Sequence, residues 1–410
     1  MTTPIPSGSS KTTYIPRQKS TDLTFPPIGI HDRLLRNFIH LTVAVGLYQP
    51  LIWSAGVFSL LYSVGSSVFR SKPRRSITEK GQDEHVIPLN IEMYGRHEYV
   101  KLNGQKIHYV QRGPVFTSGA EKPPLMLFIH GYPACWFTWR HQLLHFSSKY
   151  NCVALDLVSV VDLAILAARR GKTPRGYGFS SKPDGLSSYT AEEITSDIKA
   201  LIISLGYESA TVVGHDWGGL VAWSFAARFQ TMIDSLILIN ITHQHQLAFR
   251  NITVRQFLMS HYMYFYQLPR IPELFMSPTK TAGTPWRSYF VSEGFTRPEA
   301  DFYRRNIILP GLPTSALNYY RNIFNGGWGP IERQPNTISK PTLIVWGDGD
   351  KALDKQTCLQ GVEAFFETAP EVAVVPGGGH WAVELHYEVV SRHIEEFLVE
   401  GELSSSVVVV

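Results

Sequence analysis

The sequence predicts an α/β fold: a mostly parallel sheet with helices on both faces, an inserted helical lid, and an apolar N-terminal segment. Three observations predict it. Short unbroken apolar runs, such as PLMLFIH at 124–130 and SLILIN at 235–240, have the composition of strands buried on both faces. Segments with helical spacing lie between such runs, as at 191–205. The stretch 242–339, rich in aromatics and proline, breaks the rhythm and is too long for a structureless loop.

The elements follow in chain order. Residues 1–36, Ser-, Thr- and Pro-rich at their start, read as a disordered tail. Residues 37–70 read as a membrane anchor, because Asn37 to Phe69 contain no Asp, Glu, Lys or Arg. A bilayer-spanning helix needs about 20 apolar residues, so the run is long enough. Pro50 kinks one helix or marks the tip of a hairpin. Four basic residues follow (Arg70, Lys72, Arg74, Arg75) against two before (Arg33, Arg36), which places the C-terminal body in the cytosol. The expected location is the endoplasmic reticulum membrane, and unpaired cysteines suit the cytosolic side. The sequons at Asn240 and Asn251 matter only in the lumen. Residues 71–92 are a polar linker.

The body begins with two β-prone runs, His97–Leu102 and Gln105–Gln111, joined by Asn103-Gly104, a hairpin signal. Strands are expected at 124–130, 152–157, 210–214, 235–240, 342–346 and 372–375. Helices are expected at 191–205, capped by Thr190, at 220–229, and at 386–399. The core therefore divides into 93–241 and 340–400 around the lid at 242–339, and a loose tail follows at 401–410.

Charge excludes one class of function. Residues 1–92 hold ten basic and six acidic side chains, which accounts for the whole net charge of +4. The remainder is balanced, so it carries no electrostatic footprint for nucleic acid. Three cysteines make no disulfide framework and lack metal-ligand spacing, and no metal or organic cofactor is implied.

The chemistry gathers in four motifs. In Gly214-His215-Asp216-Trp217-Gly218-Gly219, small residues permit a sharp strand-to-helix turn that exposes residue 216. A carboxylate there is already ionised at neutral pH and needs no base to attack carbon. The alkyl ester so formed must be hydrolysed, and the attacking water does need a base. His380, in Gly377-Gly378-Gly379-His380-Trp381, occupies the right place in the order nucleophile, acid, histidine. Asp350, at the end of TLIVWGDGD, is the acid that orients it, with Asp348 as the rival. The loop His130-Gly131-Tyr132-Pro133 and the turn at 216 supply oxyanion donors, the backbone N–H groups of Tyr132 and Trp217.

With these motifs in this order, the chain resembles the epoxide-hydrolase branch of the α/β-hydrolase superfamily over about residues 93–400. It looks most like the membrane-attached members. The resemblance implies two lid tyrosines that bind and protonate the epoxide oxygen. Tyr262 matches the first, in a Tyr-x-x-x-x-Gln pattern, ahead of its neighbours Tyr264 and Tyr266. Tyr320 matches the second, in an Asn-x-Tyr-Arg context. The implied reaction converts a lipophilic epoxide, with fatty-acid epoxides as the family-based expectation, and water to a vicinal diol. Two alternatives stay open: a haloalkane dehalogenase, which shares the Asp, His and acid, and a non-catalytic binding protein on the same fold.

One stretch departs from the family. Relatives run from Asp-x straight into an Arg-Gly-Tyr-Gly loop, whereas here residues 158–174 separate Asp156-Leu157 from Arg175. The insertion reads either as a short amphipathic helix with a basic end or as retained intron, since valine codons begin with the GT of a splice donor. Transcript reads across 158–174 separate the two.

Overall fold

The structure is a computed structural model that describes residues 14–26, 29, 31–32, 34–35, 54–58, 90–115, 121–157, 180, 183–244, 246, 253–276, 283–307, 311–328 and 337–406. Its nine described strands are β1 (Gln18–Lys19), β2 (Arg96–Leu102), β3 (Gln105–Arg112), β4 (Leu125–Ile129), β5 (Asn151–Leu155), β6 (Ala210–His215), β7 (Ile233–Ile239), β8 (Thr342–Gly347) and β9 (Glu371–Val375). They form one sheet in the order β1-β9-β8-β7-β6-β4-β5-β3-β2. The β2–β3, β3–β5 and β1–β9 pairs are antiparallel and the others parallel. Strands β4, β5, β6 and β8 are buried along their whole length, as their unbroken apolar runs require.

Helices cover both faces. In the core they are α1 (Arg140–Phe146), α2 (Ala191–Ser204) and α3 (Trp217–Arg228). The hydroxyl of Thr190 caps α2 by accepting from the Glu193 N–H. Between β7 and β8 every described element is helical: α4 (Val254–Met259), α5 (His261–Phe265), α6 (Ile271–Met276), α7 (Gly283–Glu293), α8 (Arg297–Ile307) and α9 (Leu312–Phe324). The chain closes with α10 (Lys355–Leu359), α11 (Ala382–Leu385) and α12 (Tyr387–Ser406).

Three expectations need correction. Part of the tail at 1–36 is structured: β1 adds to the outer edge of β9, pairing Gln18 with Val372. Its short polar run has no apolar period because it borrows its partner from the sheet edge. Helix α12 runs to Ser406, into the segment expected to be a loose tail, because a helix already docked on the core propagates cheaply. Helix α3 begins at Trp217, three residues before the apolar spacing suggested, because tertiary packing overrides the glycines' low helix propensity.

Among the described residues no helix is long and apolar enough to cross a membrane. The expected anchor at 37–70 lies outside the described residues apart from 54–58, which are helical. The atypical segment 158–174 also lies outside them.

Candidate active site

The carboxyl ends of the central strands carry the site. Asp216 stands between β6 and α3 with φ 53° and ψ −125°, a left-handed conformation that a non-glycine residue adopts only where the surroundings enforce it. The turn lifts its side chain above the sheet. The facing loop must then come very close. A Cβ on Gly131 would lie 2.3 Å from Asp216 Oδ1, so only glycine fits there. That approach lets the Tyr132 N–H donate to Asp216 Oδ1 at 2.8 Å. Trp217, the other expected oxyanion donor, is the first residue of α3.

His380 reaches Asp216 and Asp350 with its two ring nitrogens. Nε2 lies 3.5 Å from Asp216 Oδ2, and Nδ1 lies 2.9 Å from Asp350 Oδ2. All three residues are buried. Asp350 Oδ1 accepts from the Ala352 and Leu353 N–H groups at 2.7 and 3.0 Å. Asp348 points elsewhere: it is exposed and accepts from the Gly377 N–H at 2.7 Å, which shapes the turn before His380.

Two supporting residues escape sequence reasoning. Asn240, read there only as a sequon, is fully buried at the end of β7. Its Nδ2 donates to Asp350 Oδ2 at 2.7 Å and its Oδ1 accepts from the Gly347 N–H at 3.2 Å. His215, inside the elbow motif, has Nε2 2.8 Å from the His380 carbonyl oxygen. Burial lowers its pKa to about 4, so the ring is neutral and donates from Nε2. No spacing in the sequence signals either contact, because each joins residues more than 100 positions apart.

The electrostatics are strongly coupled. Burial raises the Asp216 pKa, but the hydrogen bond and charge of His380 outweigh it and hold the carboxyl below its ordinary value. Asp350 follows the same balance, burial against His380. Burial disfavours the His380 cation, yet Asp350 and Asp216 together raise its pKa well above the ordinary histidine value. The resting site is therefore an imidazolium held between two carboxylates.

Above it lie tyrosines. The Tyr262 ring meets Tyr266 at 5.6 Å and Tyr320 at 6.1 Å, both edge-on. Tyr320 also meets Tyr132 at 5.8 Å and Trp217 at 4.7 Å. Burial, with Asp216 close by, pushes the Tyr262 and Tyr320 hydroxyls well above the ordinary phenol value, so both stay protonated. The flanking motif residues hold the pair together. Gln267 Nε2 donates to the Met263 and Tyr320 carbonyls at 3.0 and 3.2 Å, and Arg321 donates to the Tyr266 and Leu268 carbonyls, each at 3.2 Å. Tyr264 faces away from this cluster, against Phe257 and Phe324. A cavity opens beside the site, lined by Tyr132, Leu157 and Trp217 from the core and by Ile307, Leu312 and Ala316 from the insertion.

Comparison with known proteins gives consistent matches. The family described as alpha/beta hydrolase fold matches residues 174–387. Epoxide hydrolase 1 of Caenorhabditis elegans is 34% identical over 91% of this chain and 86% of its own length. Epoxide hydrolase 4 of Mus musculus is 30% identical over 89% of this chain and 95% of its own. Among solved structures, a mutant epoxide hydrolase from Bacillus megaterium, complexed with its diol product, superposes with a TM-score of 0.60. That structure is 28% identical and covers 73% of this chain and 99% of its own.

Proposed function

The chain belongs to the epoxide hydrolases of the α/β-hydrolase superfamily, and from that premise we propose a two-step covalent route at Asp216. The observation that carries it is the single chain of contacts from Tyr132 N–H through Asp216 and His380 to Asp350.

Asp216 Oδ1 is engaged by the Tyr132 N–H, which leaves Oδ2 to attack an epoxide carbon. The carbon–oxygen bond of the ring breaks as a phenol, Tyr262 or Tyr320, gives its proton to the departing oxygen. The phenolate then recovers a proton as the His380 imidazolium loses one. Neutral His380, oriented by Asp350, takes a proton from water, and the hydroxide attacks the ester carbon of Asp216. Negative charge collects on Oδ1, where the Tyr132 N–H already points; one such donor contributes about 2.7–4 kcal/mol. Collapse releases the diol and restores the carboxylate and the imidazolium, so the net reaction consumes one epoxide and one water. Paired phenols facing the carboxylate serve a departing alkoxide; a departing halide has no use for them.

A lipophilic epoxide, such as one made from a fatty acid, fits the apolar cavity wall of Leu157, Ile307, Leu312 and Ala316. The helices at 254–324 would then act as its lid. Attachment to a membrane through the uncharged run Asn37–Phe69 suits the same substrate.

The test is diol formation from 9,10-epoxystearate, with Asp216→Ala as the blank. His380→Gln should stall with one substrate mass added to Asp216 in an intact mass spectrum. Diol without any adduct in that variant rules out the covalent route.

A further inference from the structure

Helix α5 spans only His261–Phe265, and α4 before it only Val254–Met259. Helices this short have no stability of their own, and packing must hold them. One face of α5 carries Tyr262, four residues before Tyr266 and facing the tyrosine cluster. Tyr264 lies about 200° round the helix from Tyr262 and faces the other way. The N-terminal segment backs that opposite face. Leu35 and Ala55 pack on Tyr264 beside Phe257 and Phe324. Gly56 is buried so closely that a Cβ there would come within 2.7 Å of the Tyr264 carbonyl oxygen and 3.1 Å of the Leu268 side chain. The Phe58 ring meets Phe257 at 6.2 Å. Asp32 Oδ1 accepts from the Val254 N–H at 2.7 Å, at the first residue of α4.

The same segment is fastened to the core upstream. β1 pairs with β9, Ser20 N donates to the Pro370 carbonyl at 3.0 Å, and Gln356 Nε2 donates to the Pro26 carbonyl at 2.6 Å. The contacts therefore run from the edge of the sheet to the back of the helix that presents Tyr262.

We infer that the N-terminal segment is a strap that sets the position of the Tyr262 phenol, and that Asp32 and Gly56 are positioning residues for epoxide opening. The inference rests on the covalent reading above. Because Tyr262 serves only the first step, loosening the strap slows ester formation and leaves ester hydrolysis alone. A misplacement of about 1 Å costs on the order of a hundredfold in rate.

The experiment uses the full chain in the His380→Gln background, where adduct growth from 9,10-epoxystearate, followed by intact mass, reports ester formation alone. Asp32→Ala and Gly56→Leu should slow it by about tenfold to a hundredfold. Asp32→Asn should restore the parent rate, because the amide oxygen still accepts from the Val254 N–H. With His380 intact, the decay of preformed ester should be the same in all of them. Adduct growth at the parent rate in Asp32→Ala and Gly56→Leu overturns the inference. So does equal slowing of both steps, or an Asp32→Asn variant as slow as Asp32→Ala. If His380→Gln itself gives no adduct, the covalent reading fails separately, and kcat/KM for diol in the chain with His380 intact, ranked over the same variants, still decides the strap.

Discussion

Asp350 divides its work between its two oxygens. Oδ1 is tied to the Ala352 and Leu353 N–H groups, while Oδ2 faces both His380 Nδ1 and Asn240 Nδ2. Asn240 therefore fixes where the carboxylate meets the imidazole. Asn240→Ala should slow ester hydrolysis by about tenfold and leave ester formation nearly unchanged, because a partner behind a catalytic histidine acts through its orientation. Pre-steady-state quench measurements on the two steps check this. The pH response follows from the charges. In the resting enzyme two carboxylates raise the His380 pKa. On the proposed route esterification neutralises Asp216 and removes one of them, so the His380 pKa falls in the intermediate while Asp350 still supports it. The base works only when neutral, so hydrolysis weakens as pH falls through that lowered value, by about tenfold per unit below it. Ester should accumulate in acid and vanish at higher pH, read by intact mass at steady state; accumulation that grows with pH contradicts the assignment. The meeting of Asp216, His380 and Asp350, the proposed nucleophile, base and acid, was legible in the sequence because each sits in a turn-forming motif at a strand end. Asn240 was not, since its role depends on β7 lying beside β8.

Among the elements, α1, α8 and α11 meet at a buried cluster. The Arg140 guanidinium contacts Glu384 and reaches Glu299 Oε1 at 2.6 Å, and the Tyr303 hydroxyl donates to Glu384 Oε2 at 2.7 Å. Arg140 belongs to the core, Glu299 and Tyr303 to the insertion, and Glu384 follows His380 by four residues. The cluster thus joins the insertion to the helix that follows His380. Burial raises the Glu384 pKa to about 7, against the pull of Arg140. Removing the guanidinium strands a buried carboxyl, so Arg140→Met should destabilise the fold by about 3–5 kcal/mol in chemical denaturation. Arg140→Met combined with Glu384→Leu should recover most of that loss, because no unpaired charge then remains. Sequence pattern pointed to helices across the insertion and to the buried strands. It did not show the cluster, whose contacts join residues 81 to 244 positions apart. It also mistook the reach of α12 and the order in β1, both of which are decided by packing rather than by local pattern.

At the scale of the whole molecule, the N-terminal segment is the unusual part. It carries the entire net charge of +4, contains an uncharged run from Asn37 to Phe69, and lies against the insertion through residues 54–58. Around that contact Val57, Phe58 and Leu258 remain exposed, at 49%, 45% and 40% of their surface. Apolar side chains exposed beside an uncharged run suit a lipid surface, and their position would bring the helices over the active site close to the bilayer. Two forces compete to explain the proposed attachment. Basic residues contribute about 1 kcal/mol each near an anionic membrane and are screened by salt, whereas apolar insertion is indifferent to both. We propose insertion, on the length of the uncharged run. The full chain should float with neutral phosphatidylcholine vesicles in a density gradient and stay there in 1 M salt. Val43→Arg, costing about 2.5–3.5 kcal/mol within a span, should return it to the soluble fraction. Diol formation from a micellar epoxide should persist in the released protein. Release of the unaltered chain by salt alone would assign attachment to the basic residues instead.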